Sequence, residues 1–345
     1  MINVGIAGLG FMGMIHYLAY QKAAGVRVAA MCEQDAKRLA GDWRSIKGNF
    51  GPEGQMMDLS GVAKYSNLDE MLADPKLDAV DICLPPSWHA RVAVAASKAG
   101  KHVFCEKPIA LEPQDADAMV AAARDAGKLL LIGHVLPFFP EYQWAYQAIS
   151  SGRYGKLLGG YFKRIISDPQ WLPDFYNPKT TGGPMIDLHI HDAHYIRLIC
   201  GMPKAVRTVG IMRGEVAELF QSQFLFDRDL VVTAASGALR QQGRGFTHAF
   251  EIYLEKATLL FDFAAIGKES HHLPLTVLAE DGGVERPPLA GGDPIDAFAA
   301  EIAEVVQSIE KKKPSALLNG DLARDALVLG QRQTQSLVEK RQVEV

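Results

Sequence analysis

The sequence predicts an α/β protein with two domains. A doubly wound parallel sheet is expected over residues 1–134, followed over residues 135–345 by an α+β domain with a large, open, mostly antiparallel sheet. Three observations predict this: strands and helices alternate in the first part, a glycine-rich turn follows the first strand, and six strands succeed one another in the second part.

Length and composition agree with two soluble domains. The chain has 345 residues, of which 48% are hydrophobic and 22% charged, and its net charge is −4. Two cores are the expectation at this length. The mild charge argues against nucleic acid or an anionic membrane as a partner. The four scattered cysteines, the strand pattern that begins at Ile2 and the short apolar runs predict a cytoplasmic protein without a membrane span.

Each element of the first domain has a recognisable pattern. The first helix is predicted to follow the glycine-rich turn and to end near residue 24. Three more are predicted over residues 34–44, 87–99 and 112–126. The strands between them are almost wholly apolar, which is typical of a parallel sheet covered on both faces. These strands are INVGIAGL, VRVAAMCE, DAVDICL, KHVFCEK and KLLLIGH. Residues 46–61 interrupt the alternation and are predicted to form an inserted surface loop.

The second domain begins with a helix near 141–151 and the strand LLGGYFKRII. A helix is predicted from about Pro184 to Cys200, and six strands at antiparallel spacing follow it. Two helices, near 294–312 and 320–340, end the chain, and the last is expected to be able to pack back on the first domain.

The turn after the first strand has the sequence G-L-G-F-M-G, a G-x-G-x-x-G pattern between a strand and a helix. In that context the pattern predicts a Rossmann dinucleotide site. Pyrophosphate would lie on the helix N-terminus. Cofactor contacts are therefore expected from Gly8, Gly10, Phe11, Met12 and Gly13.

Glu33 lies 20 positions beyond Gly13, at the end of the second strand. A carboxylate there accepts hydrogen bonds from the ribose hydroxyls and repels a 2′-phosphate, so the expected cofactor is NAD rather than NADP. Asp35 is the alternative ribose contact.

Two further patterns carry chemistry. Glu106-Lys107-Pro108 follows a strand at the edge where ligands bind in doubly wound sheets. The stretch IDLHIHDAHY, residues 186–195, contains three of the chain's ten histidines. On an α-helix Asp187, His191 and His194 would share one face, whereas His189 and Asp192 would point elsewhere.

Together these motifs resemble the Gfo/Idh/MocA oxidoreductases, which include glucose–fructose oxidoreductase and inositol dehydrogenase. The resemblance rests on GIAGLGFMG, DAVDICLPPSWHARVAVAASKAGKHVFCEKPIAL, GHVLPFFPEY and GGPMIDLHIHDAHYIRLICG, and it spans nearly the whole chain. It implies a Rossmann domain followed by an open-faced sheet that commonly makes the contacts of a homodimer or homotetramer.

The resemblance also implies residue roles. Lys107, Asp187 and His191 match the family's catalytic positions, with His191 as the general acid/base, Asp187 orienting its ring and Lys107 bonding the reacting oxygen. A histidine suits proton exchange near neutrality because its unperturbed pKa is about 6.5. Leu84, Pro85, His89, Glu106 and Lys107 are expected beside the cofactor.

Substrate contacts are expected from His194, Trp171 and Arg164, with Phe175 as a further aromatic candidate. His194 stands where the family often has Asp, and Pro137 where it often has Arg, so the sugar preference is expected to differ. His189 is expected to be structural, bonded to backbone or to Asp192. A divalent metal held by His191, His194 and Asp187 is an alternative that imidazole and carboxylate ligands would suit.

The predicted function is hydride transfer between nicotinamide and a secondary alcohol or ketone of a sugar, cyclitol or sugar derivative. One alternative is NAD-dependent glycoside cleavage, in which transient oxidation of the sugar permits elimination. Another, from a different class, is a sugar- or nucleotide-sensing regulator without catalysis.

Overall fold

The computed structural model describes residues 1–48, 50–291 and 293–345, and these divide into two compact units. The first unit comprises Met1–Phe138 and Gly291–Arg324; the second comprises Phe139–Ala290 and Asp325–Val345. The predicted boundary after residue 134 lies four positions before the observed one. Residues 291–324, which the sequence placed in the second domain, belong to the first unit.

The first unit contains a sheet of six parallel strands in the order β3-β2-β1-β4-β5-β6. The strands are β1 Ile2–Ala7, β2 Val26–Cys32, β3 Ala63–Tyr65, β4 Ala79–Ile82, β5 His102–Glu106 and β6 Leu130–Gly133. The central strand β4 is buried along its whole length, including the side chain of Asp81. This order is that of the Rossmann fold, whose ligand crevice opens between β1 and β4 at the carboxyl ends of the strands.

Nine α-helices are formed by the described residues. They are α1 Phe11–Tyr20, α2 Ala36–Leu39, α3 Leu68–Ala73, α4 Pro86–Lys98, α5 Pro113–Asp125, α6 Pro140–Ser150, α7 Ile190–Cys200, α8 Pro294–Lys311 and α9 Gly320–Glu339. Asp35 and Asn67 cap α2 and α3 through their side chains. A proline occupies the first turn of α4 and of α5, where its missing N–H is harmless. Within the part of the chain that is described, no helix combines the length and the apolar character needed to cross a membrane.

Helix α8 belongs to the first unit because its apolar stripe packs against α1. Ile302 and Val305 are buried, and the ring of Phe298 lies 6.0 Å from that of His16. At the rim, Lys22 pairs with the carboxylate of Asp296 at 2.7 Å. The sequence predicted this helix over nearly the same residues. Its periodicity shows that one face is apolar but does not indicate which domain that face packs against.

The described residues of the segment 46–61 are mostly exposed, as predicted for a surface loop, and two of them anchor it in the core. Ile46 and Leu59 lie in the core of the first unit, and Trp43 just before the segment is fully buried. The Trp43 indole packs edge-on against Tyr17 and donates a hydrogen bond of 2.9 Å to the carbonyl of Arg38. Asn49, within this segment, lies outside the described residues.

The second unit contains a nine-stranded sheet in the order β14-β13-β12-β11-β7-β10-β9-β8-β15. The strands are β7 Leu157–Ser167, β8 Ala205–Arg213, β9 Val216–Leu225, β10 Val231–Leu239, β11 Arg244–Leu254, β12 Ala257–Ile266, β13 Glu269–Ala279, β14 Val284–Glu285 and β15 Val343–Glu344. Among these strands only β7 and β10 pair in parallel. The prediction of a mostly antiparallel sheet is confirmed.

Candidate active site

The glycine turn between β1 and α1 has the geometry that its sequence predicts. Gly8 has φ +94°, and a Cβ there would lie 2.7 Å from the carbonyl oxygen of Cys83. A Cβ at Gly13 would lie 2.1 Å from the carbonyl oxygen of Gly8, so helix and turn are in direct backbone contact. A Cβ at Gly10 would meet no heavy atom within 4 Å. The turn therefore closes at its first and third glycines and leaves space at the second.

Helix α1 begins at Phe11, and Gly10 at its N-cap supplies no side-chain hydrogen bond. Phe11 and Met12, both partly exposed, form the first turn with Gly13. Backbone N–H groups at a helix N-terminus and the dipole behind them favour an anion. The open space at Gly10 and this uncapped terminus fit the pyrophosphate of a dinucleotide.

Glu33 is fixed beside this turn. One oxygen of its carboxylate accepts the N–H of Leu9 at 2.8 Å, and the other accepts the N–H groups of Gln34 at 2.8 Å and Asp35 at 3.0 Å. Asp35, the alternative ribose contact, instead caps α2 by accepting the N–H groups of Lys37 and Arg38. Of the two acids, Glu33 is the one held against the glycine turn.

The loop after β4 contains three residues expected near a cofactor. Leu84 is partly exposed, Pro85 is exposed, and α4 begins directly afterwards. His89 has a different environment from the expected one: its ring is fully buried, with Nε2 2.8 Å from the carbonyl oxygen of Leu84 and Nδ1 2.8 Å from that of Pro108. Burial lowers the pKa of His89. Both ring nitrogens therefore lie at hydrogen-bond distance from backbone carbonyls of the protein.

Strand β5 ends at Glu106, and Lys107 follows with a partly exposed side chain. The Glu106 carboxylate is buried, and its Oε2 accepts the backbone N–H of Lys107 at 3.1 Å. The Lys107–Pro108 peptide bond is cis. Lys107 thus lies at the carboxyl edge of the sheet, as its position directly after the strand predicted.

Sequence reasoning missed two polar residues beneath this edge. His16 on α1 and Asp81 in β4 are both fully buried, and the His16 ring bridges Asp81 and Glu106. The available signal was Asp81 itself, an acid inside the apolar strand DAVDICL, since a buried acid requires a partner.

In the second unit, the predicted helix from Pro184 to Cys200 consists of two kinds of helix. Residues Pro184–Leu188 form a π turn, in which the N–H of His189 bonds the carbonyl of Pro184 at 2.8 Å, and α7 continues from Ile190. Asp187 lies in the π turn and His191 in the first turn of α7, and both are partly exposed. His194, one turn further on, is fully buried. Single π turns are frequent at functional sites.

His189 is structural, but its partners differ from those expected. Its Nδ1 lies 2.9 Å from the Ser236 hydroxyl and its Nε2 3.0 Å from the Gln333 amide nitrogen, while Asp192 is 4.0 Å away. Burial lowers the pKa of His189 to about 4. Since the amide of Gln333 donates to Nε2, the neutral ring donates from Nδ1 to Ser236.

Arg164, expected at the substrate, is buried in β7 and engaged by Asp192. Its guanidinium bonds the two Asp192 oxygens at 2.6 and 3.0 Å, and 2% of the residue is exposed. Two of the five guanidinium donors are thus used within the protein. Trp171 is 68% exposed in the loop after β7, whereas Phe175 is buried. Of these three residues, only Trp171 presents its side chain at the surface.

Comparisons with known proteins agree with these observations. Residues 2–134 match the family model described as the oxidoreductase family, NAD-binding Rossmann fold. Residues 142–260 match the model of the GFO/IDH/MocA C-terminal domain. The two models together span most of the chain, including the glycine turn, Lys107 and the π turn.

Similar proteins extend over the full length. The chain is 26% identical to a myo-inositol 2-dehydrogenase of Thermotoga maritima, covering 100% of this chain and 98% of the relative, and 27% identical to an inositol 2-dehydrogenase of Rhizobium meliloti, covering 100% and 99%. A 2,7-anhydro-N-acetylneuraminate hydratase of Escherichia coli is 29% identical over 61% of this chain and 53% of its own. Among solved structures, the fold matches an aldose-aldose oxidoreductase from Caulobacter crescentus with a TM-score of 0.81 at 21% identity, covering 100% and 99% of the two chains. The chain belongs to the Gfo/Idh/MocA family of oxidoreductases.

Proposed function

We propose that the protein is an NAD-dependent dehydrogenase or reductase that interconverts a secondary alcohol and a ketone on a sugar, cyclitol or sugar derivative. The observation that carries the proposal is the joint presence of a dinucleotide-type glycine turn, Lys107 at the carboxyl edge of the same sheet, and Asp187 with His191 at the π turn. The inositol dehydrogenases that match over the full length support the substrate class.

Each residue has a distinct chemical task in this mechanism. Bound NAD supplies the hydride acceptor. His191 takes the proton of the substrate hydroxyl, and Asp187 orients its ring and favours the charged form that results. Lys107 hydrogen-bonds the reacting oxygen and stabilises negative charge on it as the proton leaves.

Glu33 supports NAD over NADP. Its carboxylate is fixed by the backbone N–H of Leu9 in the glycine turn, and it retains lone pairs that can accept ribose hydroxyls. A 2′-phosphate beside it would be repelled. We therefore expect NAD to bind more tightly than NADP, and Glu33→Ala to reduce that preference, as measured by cofactor titration.

A second candidate is a reaction in which the sugar is oxidised transiently and NAD is regenerated, as in glycoside cleavage. One relative is named a hydratase, a reaction without net oxidation. Product formed from an anhydro sugar or a glycoside without accumulation of NADH would favour this candidate, whereas stoichiometric NADH would favour simple oxidation.

We also propose a homodimer or homotetramer formed through the sheet of the second unit. Val209 and Ile211 on β8 and Val231 on β10 are more than half exposed. Exposed apolar patches of this kind commonly mark protein contacts. Sedimentation velocity measures the assembly, and a monomer at micromolar concentration would exclude it.

Turnover with a panel of cyclitols, anhydro sugars and aldoses, followed by the absorbance of reduced nicotinamide, tests the main proposal. We expect Lys107→Ala and His191→Asn each to lower kcat/KM by about 10²–10⁴-fold while NADH binding persists. His271→Asn, an exposed position on β13, is the matched control and should retain full activity. Unchanged turnover in both Lys107→Ala and His191→Asn would exclude this mechanism.

A further inference from the structure

One buried imidazole joins three elements beneath the carboxyl edge of the first sheet. His16 lies on α1, three residues beyond Gly13, and its ring is fully buried and stacked on Phe104 with centroids 5.2 Å apart. Its Nδ1 is 2.8 Å from Asp81 in β4, and its Nε2 is 2.9 Å from Glu106 at the end of β5. The helix behind the glycine turn is thereby connected to the strand that leads into Lys107.

The partners on both sides of the ring determine its protonation. An ionised carboxylate only accepts hydrogen bonds, so both ring nitrogens must carry hydrogen for both contacts to form. That arrangement is an imidazolium between two carboxylates. Burial by itself lowers the pKa of His16, but the charges and hydrogen bonds of Asp81 and Cys83 together outweigh it and leave the pKa well above its usual range.

The chain of contacts continues to the lysine. Glu106 receives His16 on Oε1 and the backbone N–H of Lys107 on Oε2, so both of its oxygens are used. Glu106 is 6% exposed, which shields these contacts from solvent. A change at His16 is therefore transmitted to the backbone at Lys107 through one carboxylate.

We propose that His16 is a positioning residue: as a buried imidazolium it holds Glu106, and through it the Lys107 backbone, in fixed relation to the helix that binds the cofactor pyrophosphate. We call Asp81, His16 and Glu106 the bracket. The bracket positions Lys107 to hydrogen-bond the reacting oxygen and to stabilise negative charge on it. The proposal rests on the proposed function of Lys107, but the bracket and the protonation of His16 can be tested separately.

Glu301 makes the charge of His16 more important. This residue of α8 is fully buried, and neither carboxyl oxygen has a hydrogen-bond partner among the described residues. Burial raises its pKa well above the usual range, and Glu106 adds to the increase, which favours the uncharged acid. The imidazolium of His16 then places one positive charge between Asp81 and Glu106.

A metal site is the competing interpretation, because His16, Asp81 and Cys83 have donor atoms within 4.8 Å of one another. The geometry opposes it. Both His16 nitrogens already lie at hydrogen-bond distance from carboxylates on opposite sides of the ring, so an imidazolium has no lone pair for a metal.

The protonation of His16 is measured first, by NMR of histidine labelled with ¹⁵N in the ring between pH 6 and 9. We expect both nitrogens of one buried histidine to remain protonated at pH 7, and this signal to disappear in His16→Gln. A neutral His16 at pH 7, or metal that co-purifies with the wild type and is lost in His16→Gln, overturns the bracket. This measurement needs no substrate, so it decides the bracket even if the wild type oxidises no sugar and the proposed function fails.

Kinetics then test the positioning role. We expect His16→Gln and Glu106→Gln each to lower kcat by about 10–100-fold with the sugar KM changed only a few-fold, since misplacement of a catalytic group by about 1 Å has effects of this size. The double variant should be no slower than Glu106→Gln, because the two residues act through one contact. The matched control is His102→Gln at the opposite end of β5, where His102 accepts the N–H of Leu129 at 3.1 Å. Equal loss of kcat in His102→Gln, or additive losses in the double variant, would contradict the proposal.

Discussion

At the scale of single residues, the glycine turn depends on the absence of Cβ atoms at Gly10 and Gly13. Gly13 has no Cβ because the carbonyl oxygen of Gly8 occupies that position, whereas at Gly10 the position is open. The same substitution at the two glycines therefore meets backbone in one case and empty space in the other. Only the space beside Gly10 is available to a ligand.

This difference predicts opposite effects of alanine. Gly13→Ala should destabilise the first unit by about 1–3 kcal/mol, since overpacking against backbone forces a shift. Gly10→Ala should leave the melting temperature almost unchanged but weaken NAD binding by about tenfold or more, because its methyl group takes the space expected for pyrophosphate. Thermal denaturation and cofactor titration of both variants provide the check. A Gly10→Ala protein that binds NAD like the wild type would place the cofactor elsewhere.

Single residues were predictable from sequence where their role is local. Gly8, Gly13 and Glu33 occupy fixed positions relative to one strand and one turn, so a short pattern predicts their environment. The environments of His16 and Arg164 depend on partners 65 and 28 positions away. Sequence indicated a polar side chain in each case but not the acid that pairs with it.

At the scale of elements, helix α7 is anchored to the sheet of the second unit by buried polar contacts. Arg164 in β7 holds Asp192 in the first turn of α7, and Ser236 in β10 holds His189 just before it. The apolar pattern predicted a helix here with nearly correct ends. It did not predict the π turn, because a bond from residue 189 to 184 rather than 185 depends on how these anchors fix the chain.

Removing one partner of the buried pair should be far more harmful than removing both. Arg164→Met or Asp192→Leu alone leaves an unpaired buried charge, which costs about 3–5 kcal/mol, whereas the double variant should recover most of that stability. The exposed pair of Lys204 with Asp227 is the control, and Lys204→Met should change stability by less than about 1 kcal/mol. Urea denaturation followed by circular dichroism measures all four proteins. Equal destabilisation by the single and double variants would show that packing, rather than charge, dominates at this anchor.

At the scale of the whole molecule, buried histidines have pKa values that are shifted in opposite directions. In the second unit, burial lowers the pKa of His189 to about 4 and that of His248 well below its usual range. In the first unit, burial also lowers the pKa of His89, whereas the pKa values of His16 and Glu301 are raised. Length and strand pattern predicted two sheets, but this contrast depends on partners that only the folded chain brings together.

These shifts have opposite consequences for stability as the pH changes. The contribution of neutral His189 is complete above the unfolded pKa of about 6.5 and is lost as the pH falls from there to about 4, a loss of about 3 kcal/mol. The contribution of charged His16 is complete below pH 6.5 and is lost as the pH rises through its raised pKa. Protonated Glu301 likewise favours the fold below its unfolded pKa and less as the pH rises. Carboxylates with a lowered pKa, such as Asp42 at about 2, titrate below this range.

Between pH 8 and pH 5 we therefore expect β10, whose Ser236 contacts His189, to lose stability, while β4, whose Asp81 contacts His16, gains it. Hydrogen exchange with mass spectrometry, corrected for the intrinsic pH dependence of exchange, gives the opening free energy of β10 in one unit and β4 in the other. His189→Gln is the matched variant: it has no titrating ring, so the pH dependence at β10 should become shallower while that at β4 stays the same. Parallel pH dependence in the two strands, or a His189→Gln protein with the wild-type slope at β10, would mean that the buried imidazoles do not control stability in this range. Because β4 contacts His16 and β10 contacts His189, the comparison also separates the charged histidine near the cofactor turn from the neutral one next to the π turn.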